Sequence, residues 1–508
     1  MIFSLSWFKF TLLNAFLITL LNFNLFSFFY EKSQSIFMLI LFICAYFFLI
    51  NAIFSLLFFK FLSKFFSILF IIISFLCVYF ISSYGILIDS DMLQNVAKTD
   101  TKEVKELLNF KLFLITLLAL FLSLCILKLK ITAPSFKLRF INFSLSLVLA
   151  FAILFIFSKT FFPFFRNYNE IRMYNVPFYQ IYSVYRYYTR FIKPKPEFQS
   201  IAKDAILPTN SQKRILILIV GETARAANYS LGDYSKNLTN EFTPHEGVIF
   251  FNKFYSCGTA TAKSVPCMFS SSKSKTHSNS EYAENVLDVL QRLGIKVTWL
   301  DNNSGGCQGV CERLKNVRNF SNEFDGFLIE EVKKELDSLE NMELVVVHLQ
   351  GSHGPTYYKR YPKEFAKFSP TCDTNELQKC TKEELINTYD NTILYTDHVV
   401  EEIIDEAKAH TEFLSSVIYV SDHGESLGEN GVYLHGMPYL LAPEFQTHIP
   451  LIFWSNDTTL NKNAFDKRHY KLSHDNLFSS LLGFFGVQTS FYEKEYDLFS
   501  KELKPNLD

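Results

Sequence analysis

What this sequence lacks sets the first limits. Its 49 Lys and Arg against 50 Asp and Glu leave a net charge of −1. No global field therefore points to nucleic acid or to an acidic partner. The region after residue 213 holds no internal repeat and no low-complexity tract, which sets aside a repeat array. No small-residue cleavage site follows the first apolar run, and more such runs succeed it, so a cleaved signal peptide is not expected. Charge is also nearly missing from five stretches, residues 5–29, 36–59, 65–88, 110–127 and 140–157. Each has about the 18 or more apolar residues of a helical membrane span.

What is there agrees with those absences. Of 56 Phe, 30 precede Thr160, a concentration of hydrophobicity that reads as a membrane domain. Lys60 and Lys64 join spans two and three, and Lys128, Lys130, Lys137 and Arg139 join spans four and five. These basic loops, with Lys9, lie on one side, which the positive-inside rule makes cytoplasmic. Five spans then put everything after Lys159 on the opposite face.

Nine cysteines support the same orientation. Cys44, Cys77 and Cys125 sit inside apolar runs as small buried hydrophobes. The other six form local pairs, Cys257 with Cys267, Cys307 with Cys311, and Cys372 with Cys380. Six cysteines permit about fifteen connectivities, but close spacing favours these three. A zinc knuckle at the C-x3-C lacks a second such pair or a nearby His. Three disulfides imply an oxidising compartment.

The outer loop, 89–109, is polar and compatible with helix. Residues 167–195 mix Tyr168, Tyr174, Tyr179, Tyr182, Tyr185, Tyr187 and Tyr188 with Arg172, Arg186 and Arg190, a composition suited to the headgroup level or to a plain linker. Pro194 and Pro196 end it, and Pro208 marks the last of the connector. The expected layout is a membrane domain of five helices over 1–160, interfacial helices and linker over 161–212, and a catalytic domain over 213–508.

From Lys213 the pattern turns α/β. A strand over 214–220 ends in Gly221-Glu222. A helix over 281–293 stops at Gly294 and feeds a strand over 295–300, which ends in Asp301-Asn302-Asn303. A strand over 344–349 runs into Gly351-Ser352-His353-Gly354. A long helix over 382–410 precedes a strand over 417–420, ending in Ser421-Asp422-His423-Gly424-Glu425. Continuous β-branched runs alternating with helices predict a parallel sheet covered on both faces. Ligands bind such sheets beyond the carboxyl ends of the strands, here at Glu222, Asp301, His353, Asp422 and His423.

Between these elements lies residues 256–270, where small residues crowd Thr259 and Thr261 and a cysteine stands near each end. The composition suits a tight turn with one exposed hydroxyl, opening a helix whose free N–H groups can hold an anion. A Cys257–Cys267 bridge would contribute about 3 kcal/mol in the chain-entropy model. Glu222, Asp422 and His423 form a donor set suited to zinc. A threonine hydroxyl is a poor nucleophile until a divalent cation favours its alkoxide, and Thr261 would complete a tetrahedral site. Each residue alone has a plainer reading: a strand-end Asp caps a helix, a lone His is structural, and the turn is a stapled surface loop.

Four segments carry a resemblance: V-G-E-T-A-R at 220–225, C-G-T-A-T-A-K-S-V-P-C-M-F-S at 257–270, H-G-P at 353–355 and S-D-H-G-E-S at 421–426. Together they resemble the phosphoethanolamine transferases, inner-membrane enzymes that decorate lipid A and other surface glycans and include the colistin-resistance transferases. The likeness runs nearly the whole chain, including D-M-L-Q-N-V-A-K-T-D at 91–100 and H-D-N-L-F at 474–478. It implies a multi-span membrane domain followed by a soluble α/β domain of alkaline-phosphatase/sulfatase type in the periplasm. Glu222, Thr261, Asp422 and His423 would hold zinc at one tight site, with Thr261 as the nucleophile. His353 and His435 match positions tied to a second zinc or to phosphate and acceptor handling. Phosphatidylethanolamine would be the donor and lipid A or another glycan the acceptor, with membrane lipids as surroundings, no nucleic acid, and a monomeric enzyme.

His245 and His398 read as surface or structural, while His448 and His474 stay open. One departure stands out. Where the family commonly carries Lys in C-K-G-V-C, this chain has Gln308, leaving Lys263 or a second metal to compensate. The rivals are a lipoteichoic-acid-synthase-like glycerolphosphate transferase using phosphatidylglycerol, a sulfatase, and a catalytically dead membrane scaffold. The three cysteine pairs and the C-G-T-A-T-A context count against the first. A sulfatase needs C/S-x-P-x-R to make formylglycine, which residues 267–270 do not supply, and the intact acidic and hydroxyl set argues against a dead scaffold.

Overall fold

A computed structural model describes residues 4–59, 62–99, 101–193, 197–208, 213–277, 282–322 and 324–506. Lys60, Pro194, Pro196 and Glu281, each part of a sequence expectation, lie outside them, as does Asp100. The chain forms two compact units, Met1–Leu93 with Leu108–Arg186, and Gln94–Leu107 with Tyr187–Asp508.

The first unit is helical. A short strand β1 (Ser4–Ser6) pairs in parallel with β2 (Lys130–Thr132). Four helices are long and apolar enough to cross a membrane, α3 (Ile36–Leu57), α4 (Leu62–Tyr84), α7 (Phe110–Lys128) and α8 (Phe136–Ile156). The first expected span is two helices, α1 (Trp7–Leu21) and α2 (Phe23–Ser33), bent by 55°. The break has a cause in Asn22. Its Nδ2 donates to Ile18 O at 2.8 Å and to Val176 O at 2.7 Å, and its Oδ1 accepts from Val176 N at 2.9 Å. A side chain that satisfies a distant backbone in this way takes the place of continued helix in an apolar setting. Counted as one bent span, the pair brings the total to five.

Polar side chains join these helices where apolar packing alone carries no specificity. Asn51 on α3 donates to Asn142 Oδ1 at 3.3 Å and to Ser146 Oγ at 2.8 Å on α8. Ser67 on α4 bonds Asn14 on α1. Phe113, Leu117 and Phe121 of α7, and Val148, Phe151 and Phe155 of α8, are exposed, as lipid-facing side chains are. Between α4 and α7 come α5 (Ser90–Lys98) and α6 (Thr101–Leu107), and after α8 come α9 (Ser158–Asn167) and α10 (Phe178–Tyr187). This is a multi-pass membrane protein with a soluble C-terminal domain.

The second unit is built on an eight-stranded sheet. Its strands are β3 (Arg214–Gly221), β4 (Ile249–Tyr255), β5 (Lys296–Asp301), β6 (Asn316–Asn319), β7 (Met342–His348), β8 (Leu414–Ser421), β11 (His448–Ser455) and β12 (Leu472–Ser473), in the order β12-β4-β11-β8-β3-β7-β5-β6. A separate hairpin pairs β9 (Ser426–Leu427) with β10 (Tyr433–Leu434). The four strands expected from the sequence, β3, β5, β7 and β8, pair in parallel, and β11, not expected from the sequence, adds an antiparallel pairing to both β8 and β4. Helices α11 (Thr261–Met268), α12 (Val286–Arg292), α13 (Leu328–Asp337) and α14 (Lys382–Ala409) complete the frame used below. The helix expected from 281 starts later, at Val286, because Asn285 and Asp288 form a reciprocal capping box there.

The centre of the sheet is fully buried. Every residue of β8, and of β3 after Arg214, is buried, and each strand carries a continuous apolar run, 215–220 on β3 and 417–420 on β8, rather than an alternating pattern. Their register pairs Gly221 with Ser421. The next residue on each strand is an acid, so Glu222 and Asp422 emerge side by side. Gly221 is required there, since a Cβ would fall 2.5 Å from the Tyr419 hydroxyl.

Candidate metal centre and active site

Glu222, Asp422 and His423 each offer a ligand atom, all within 4.8 Å of one another, and all three side chains are fully buried. His423 Nε2 lies 3.3 Å from Glu222 Oε1 and 3.4 Å from Asp422 Oδ2. Its Nδ1 lies 2.9 Å from Gly424 O. A carbonyl only accepts, so Nδ1 carries a proton and Nε2 is the nitrogen that faces the carboxylates. Asp422 Oδ1 accepts from Thr223 N at 3.1 Å and His423 N at 2.7 Å. Its Oδ2 is buried without a hydrogen bond.

Electrostatics shows the crowding of this cluster. Burial, then the charge of Glu222, pushes Asp422 up to about 7. Burial alone would lower His423, but Asp422 and Glu222 together raise it to about 10. The imidazolium in turn holds Glu222 well below the usual carboxylate range against its own burial. A proton here does the work of a cation. Two carboxylates, an imidazole lone pair and a bare buried oxygen fit a divalent metal such as zinc.

Thr261 is the first residue of α11, after Ala260 in extended conformation. Its Oγ1 lies 3.1 Å from Glu222 Oε2 and 3.4 Å from both Glu222 Oε1 and His423 Nε2. The hydroxyl is half-buried, at a helix N-terminus whose free N–H groups favour an anion. The turn that presents it is joined by a Cys257–Cys267 disulfide. Cys307–Cys311 and Cys372–Cys380 are joined likewise.

Further residues complete the site. Asn303 Nδ2 donates to Glu222 Oε2 at 2.8 Å and to Leu349 O at 3.0 Å. Gly351, at φ +52°, lies against Glu222, where a Cβ would come 2.9 Å from the Glu222 carbonyl. His353 and His435 face each other with ring centroids 5.8 Å apart, and His435 is 4.3 Å from the His423 ring. His435 Nδ1 lies 3.3 Å from Oε1 of the buried Glu425, which burial pushes up to about 8. Arg360 Nε donates to His353 O at 2.8 Å, and the same guanidinium pairs with Glu106.

The strand-end residue Asp301 stands apart from the cluster. It accepts from Trp299 Nε1 at 2.7 Å and Asn303 N at 2.9 Å, so it shapes the turn that aims Asn303. His474 is a structural link. Its Nδ1 accepts from Cys257 N at 3.2 Å and its Nε2 donates to Ser421 O at 2.9 Å. Burial lowers it to about 4 and keeps it neutral. His448 Nε2 bonds Asn252 O at 2.9 Å between two strands, and His398 lies on α14 beside Phe242. His245 is exposed. The parts absent from the sequence expectation were the positioning roles of Asn303, Glu425 and Arg360. Only the strand-end position of Asn303 and the place of Glu425 beside His423 offered a signal.

Gln308 donates to Gly305 O at 2.6 Å and lines a cavity of about 70 Å³ in front of Thr261. Lys263 is not among the described residues lining that cavity.

A buried acidic and imidazole cluster at the carboxyl ends of a doubly covered sheet, with a hydroxyl at a helix N-terminus against it, defines a group-transfer domain of the alkaline-phosphatase/sulfatase type. Comparison with known proteins agrees. A family model described as Sulfatase matches residues 214–487, and one described as Phosphoethanolamine transferase EptA/EptB matches residues 46–191. Phosphoethanolamine transferase EptA of Escherichia coli K12 is 38% identical over 452 residues, covering 83% of this chain and 82% of that protein. The integral membrane lipooligosaccharide phosphoethanolamine transferase A of Neisseria meningitidis has a solved structure with a TM-score of 0.92 and 31% identity, covering 99% of this chain and 100% of that one. The C-terminal periplasmic domain of phosphoethanolamine transferase EptC from Campylobacter jejuni is 58% identical with a TM-score of 0.60, covering 61% of this chain and 100% of that one. The chain belongs to the phosphoethanolamine transferase family and is an enzyme of that type.

Proposed function

We propose that the protein resides in the bacterial inner membrane with its catalytic domain in the periplasm, and that it moves phosphoethanolamine from phosphatidylethanolamine to lipid A or another surface glycan through a covalent intermediate on Thr261. The observation that supports this reading is the distance of 3.1 Å from Thr261 Oγ1 to Glu222 Oε2, with His423 Nε2 at 3.4 Å. It puts one hydroxyl against Glu222 and His423, two members of the donor set. Glu222, Asp422, His423 and Thr261 would hold a zinc ion, which when bound favours the threonine alkoxide and offsets phosphate charge.

The residues of the chain account for the rest. Thr261 Oγ gives up its proton to solvent and forms a bond to the donor phosphorus, and the P–O bond to diacylglycerol breaks. The departing oxygen takes a proton from the imidazole pair of His353 and His435, whose rings stand 5.8 Å apart. The N–H groups opening α11 face the transferred phosphoryl oxygens. An acceptor oxygen then attacks the same phosphorus, the Thr261 Oγ–P bond breaks, and Thr261 regains its proton. His353 and His435 suit acceptor handling, or a second metal, on the same grounds.

Intact-mass analysis of the purified protein with phosphatidylethanolamine and no acceptor tests the reading. A phosphoethanolamine adduct mapped to Thr261, absent from Thr261→Ala, is expected. Continued transfer by Thr261→Ala would rule out the covalent route.

A further inference from the structure

His353 stands on a loop pinned at one side to Glu222, where Ser352 N donates to Glu222 O at 3.0 Å. It lines the same cavity as Thr261, its ring centroid 5.8 Å from that of His435. The other side of the loop is held by Arg360. Its Nε donates to His353 O at 2.8 Å, while its Nη2 lies 3.4 Å from Thr356 Oγ1 and pairs with Glu106 Oε2. Glu106 comes from α6, within the segment Gln94–Leu107 that belongs to the same compact unit, and stands four residues before Phe110, where α7 begins. The Arg360 and Glu106 side chains are only 11% and 13% exposed. Solvent and salt therefore screen this pair far less than an ion pair at the surface.

Two groups of Glu106 do different things. Asn375 Nδ2 donates to Glu106 O at 2.7 Å, so the backbone of α6 is fastened to the catalytic domain without help from the carboxylate. What the carboxylate adds is orientation. A guanidinium is a planar fork whose N–H groups point in fixed directions. With Nη2 on Glu106, Nε is aimed at His353 O. Without that anchor the long Arg360 side chain regains rotamer freedom, which its bond to the His353 carbonyl must then overcome. Resting on the reading that the imidazole pair protonates the departing diacylglycerol oxygen, we propose that Glu106, acting through Arg360, is a positioning residue for that proton transfer. It keeps His353 in reach of the leaving oxygen. In this step Thr261 Oγ bonds to phosphorus and the P–O bond to diacylglycerol breaks. The electron pair left on the glycerol oxygen takes the proton of an imidazolium, and solvent replaces that proton. A glycerol alkoxide is a poor leaving group and depends on the acid. A nitrophenolate spreads its charge into the ring, so its release needs no proton.

The test uses the full-length protein with two donors, phosphatidylethanolamine in vesicles and soluble p-nitrophenyl phosphoethanolamine. Glu106→Ala should slow single-turnover release of diacylglycerol about tenfold, the scale of one charge-assisted hydrogen bond, with KM for the vesicle donor little changed. Release of nitrophenolate should stay close to the wild-type rate. Glu106→Gln, which keeps the length of the arm, should repeat the pattern more weakly, and it decides the outcome where the alanine variant does not fold. His353→Ala should show the same selectivity between donors, and adding Glu106→Ala to it should cost little more, because both act on one proton transfer. Equal slowing of the two donors by Glu106→Ala, no slowing of either, or losses that multiply in the double variant would overturn the proposal. His353→Ala that slows both donors alike, or neither, would sink the proton-delivery reading and this proposal with it. A selective His353→Ala beside an unselective Glu106→Ala would sink this proposal alone.

Discussion

Asn303 holds Glu222 in place: its Nδ2 lies 2.8 Å from Glu222 Oε2, the oxygen nearest Thr261 Oγ1, and 3.0 Å from Leu349 O. One amide thus ties the end of β7 to the orientation of a metal-facing carboxylate. Such outer partners typically matter by about 10–100-fold in metal affinity or activity. Asn303→Ala should therefore weaken zinc binding by about tenfold or more, read by competition with a chromogenic chelator, while the far-ultraviolet spectrum stays unchanged. Wild-type zinc affinity in that variant would show that the contact is incidental.

How far the sequence reveals this arrangement depends on burial. Strands β3 and β8 are visible because both faces are covered, so each carries a continuous apolar run, 215–220 and 417–420, that ends just before Glu222 and Asp422. Strand β4 is not, because Asn252 and Lys253 interrupt its apolar residues. Strand β11 carries Pro450, which argues against a strand, and the register shifts between Ile449 and Leu451 to accommodate it. The role of Asn303 depends on a turn held by Asp301, a long-range geometry that no local spacing encodes. The bend at Asn22 was hidden for the same reason, since its partner Val176 lies 154 residues away.

His474 bridges the Thr261 turn to the end of β8 through Cys257 N and Ser421 O. Replacing it with Phe fills the volume but leaves a buried donor and a buried acceptor unpaired, at about 1–3 kcal/mol each. His474→Phe should lower the melting temperature of the soluble domain and reduce kcat by about a hundredfold, the scale set by a small misplacement of a reacting group. His474→Gln, which can keep one of the two bonds, should fall between. A variant that melts lower yet turns over at the wild-type rate would show that the link stabilises without positioning.

Glu343 on β7 is fully buried, and burial together with Glu335 pushes it up to about 7 from an ordinary value of 4.5. The folded protein therefore binds this proton more tightly than the unfolded chain does. Its contribution is fully present below pH 4.5 and is lost as the pH rises through about 7. Glu343→Gln keeps the shape and the bond to Thr298, which lies 2.7 Å from Glu343 Oε1, without the buried charge. Lys296, 3.2 Å away, offsets part of the cost. The variant should melt about 2–4 °C higher than wild type at pH 8 and show little difference at pH 5. A gain at pH 5 equal to that at pH 8 would exclude titration of Glu343 as the cause.

Metal removal probes the cluster as a whole. Without a cation, Asp422 and Glu222 share one buried space with only the proton on His423 between them, a state that burial makes costly. Chelation should therefore abolish adduct formation on Thr261 and also lower the melting temperature of the domain, and zinc should restore both. Asp422→Asn removes one negative charge from the same space. It should weaken zinc binding yet make the chelated protein less sensitive to metal loss, so its melting curves with and without zinc should lie closer together than those of wild type. If chelation left the wild-type melting curve unmoved while activity vanished, the cluster would tolerate its own crowding, and the assignment of the ion to Glu222, Asp422 and His423 would have to be given up.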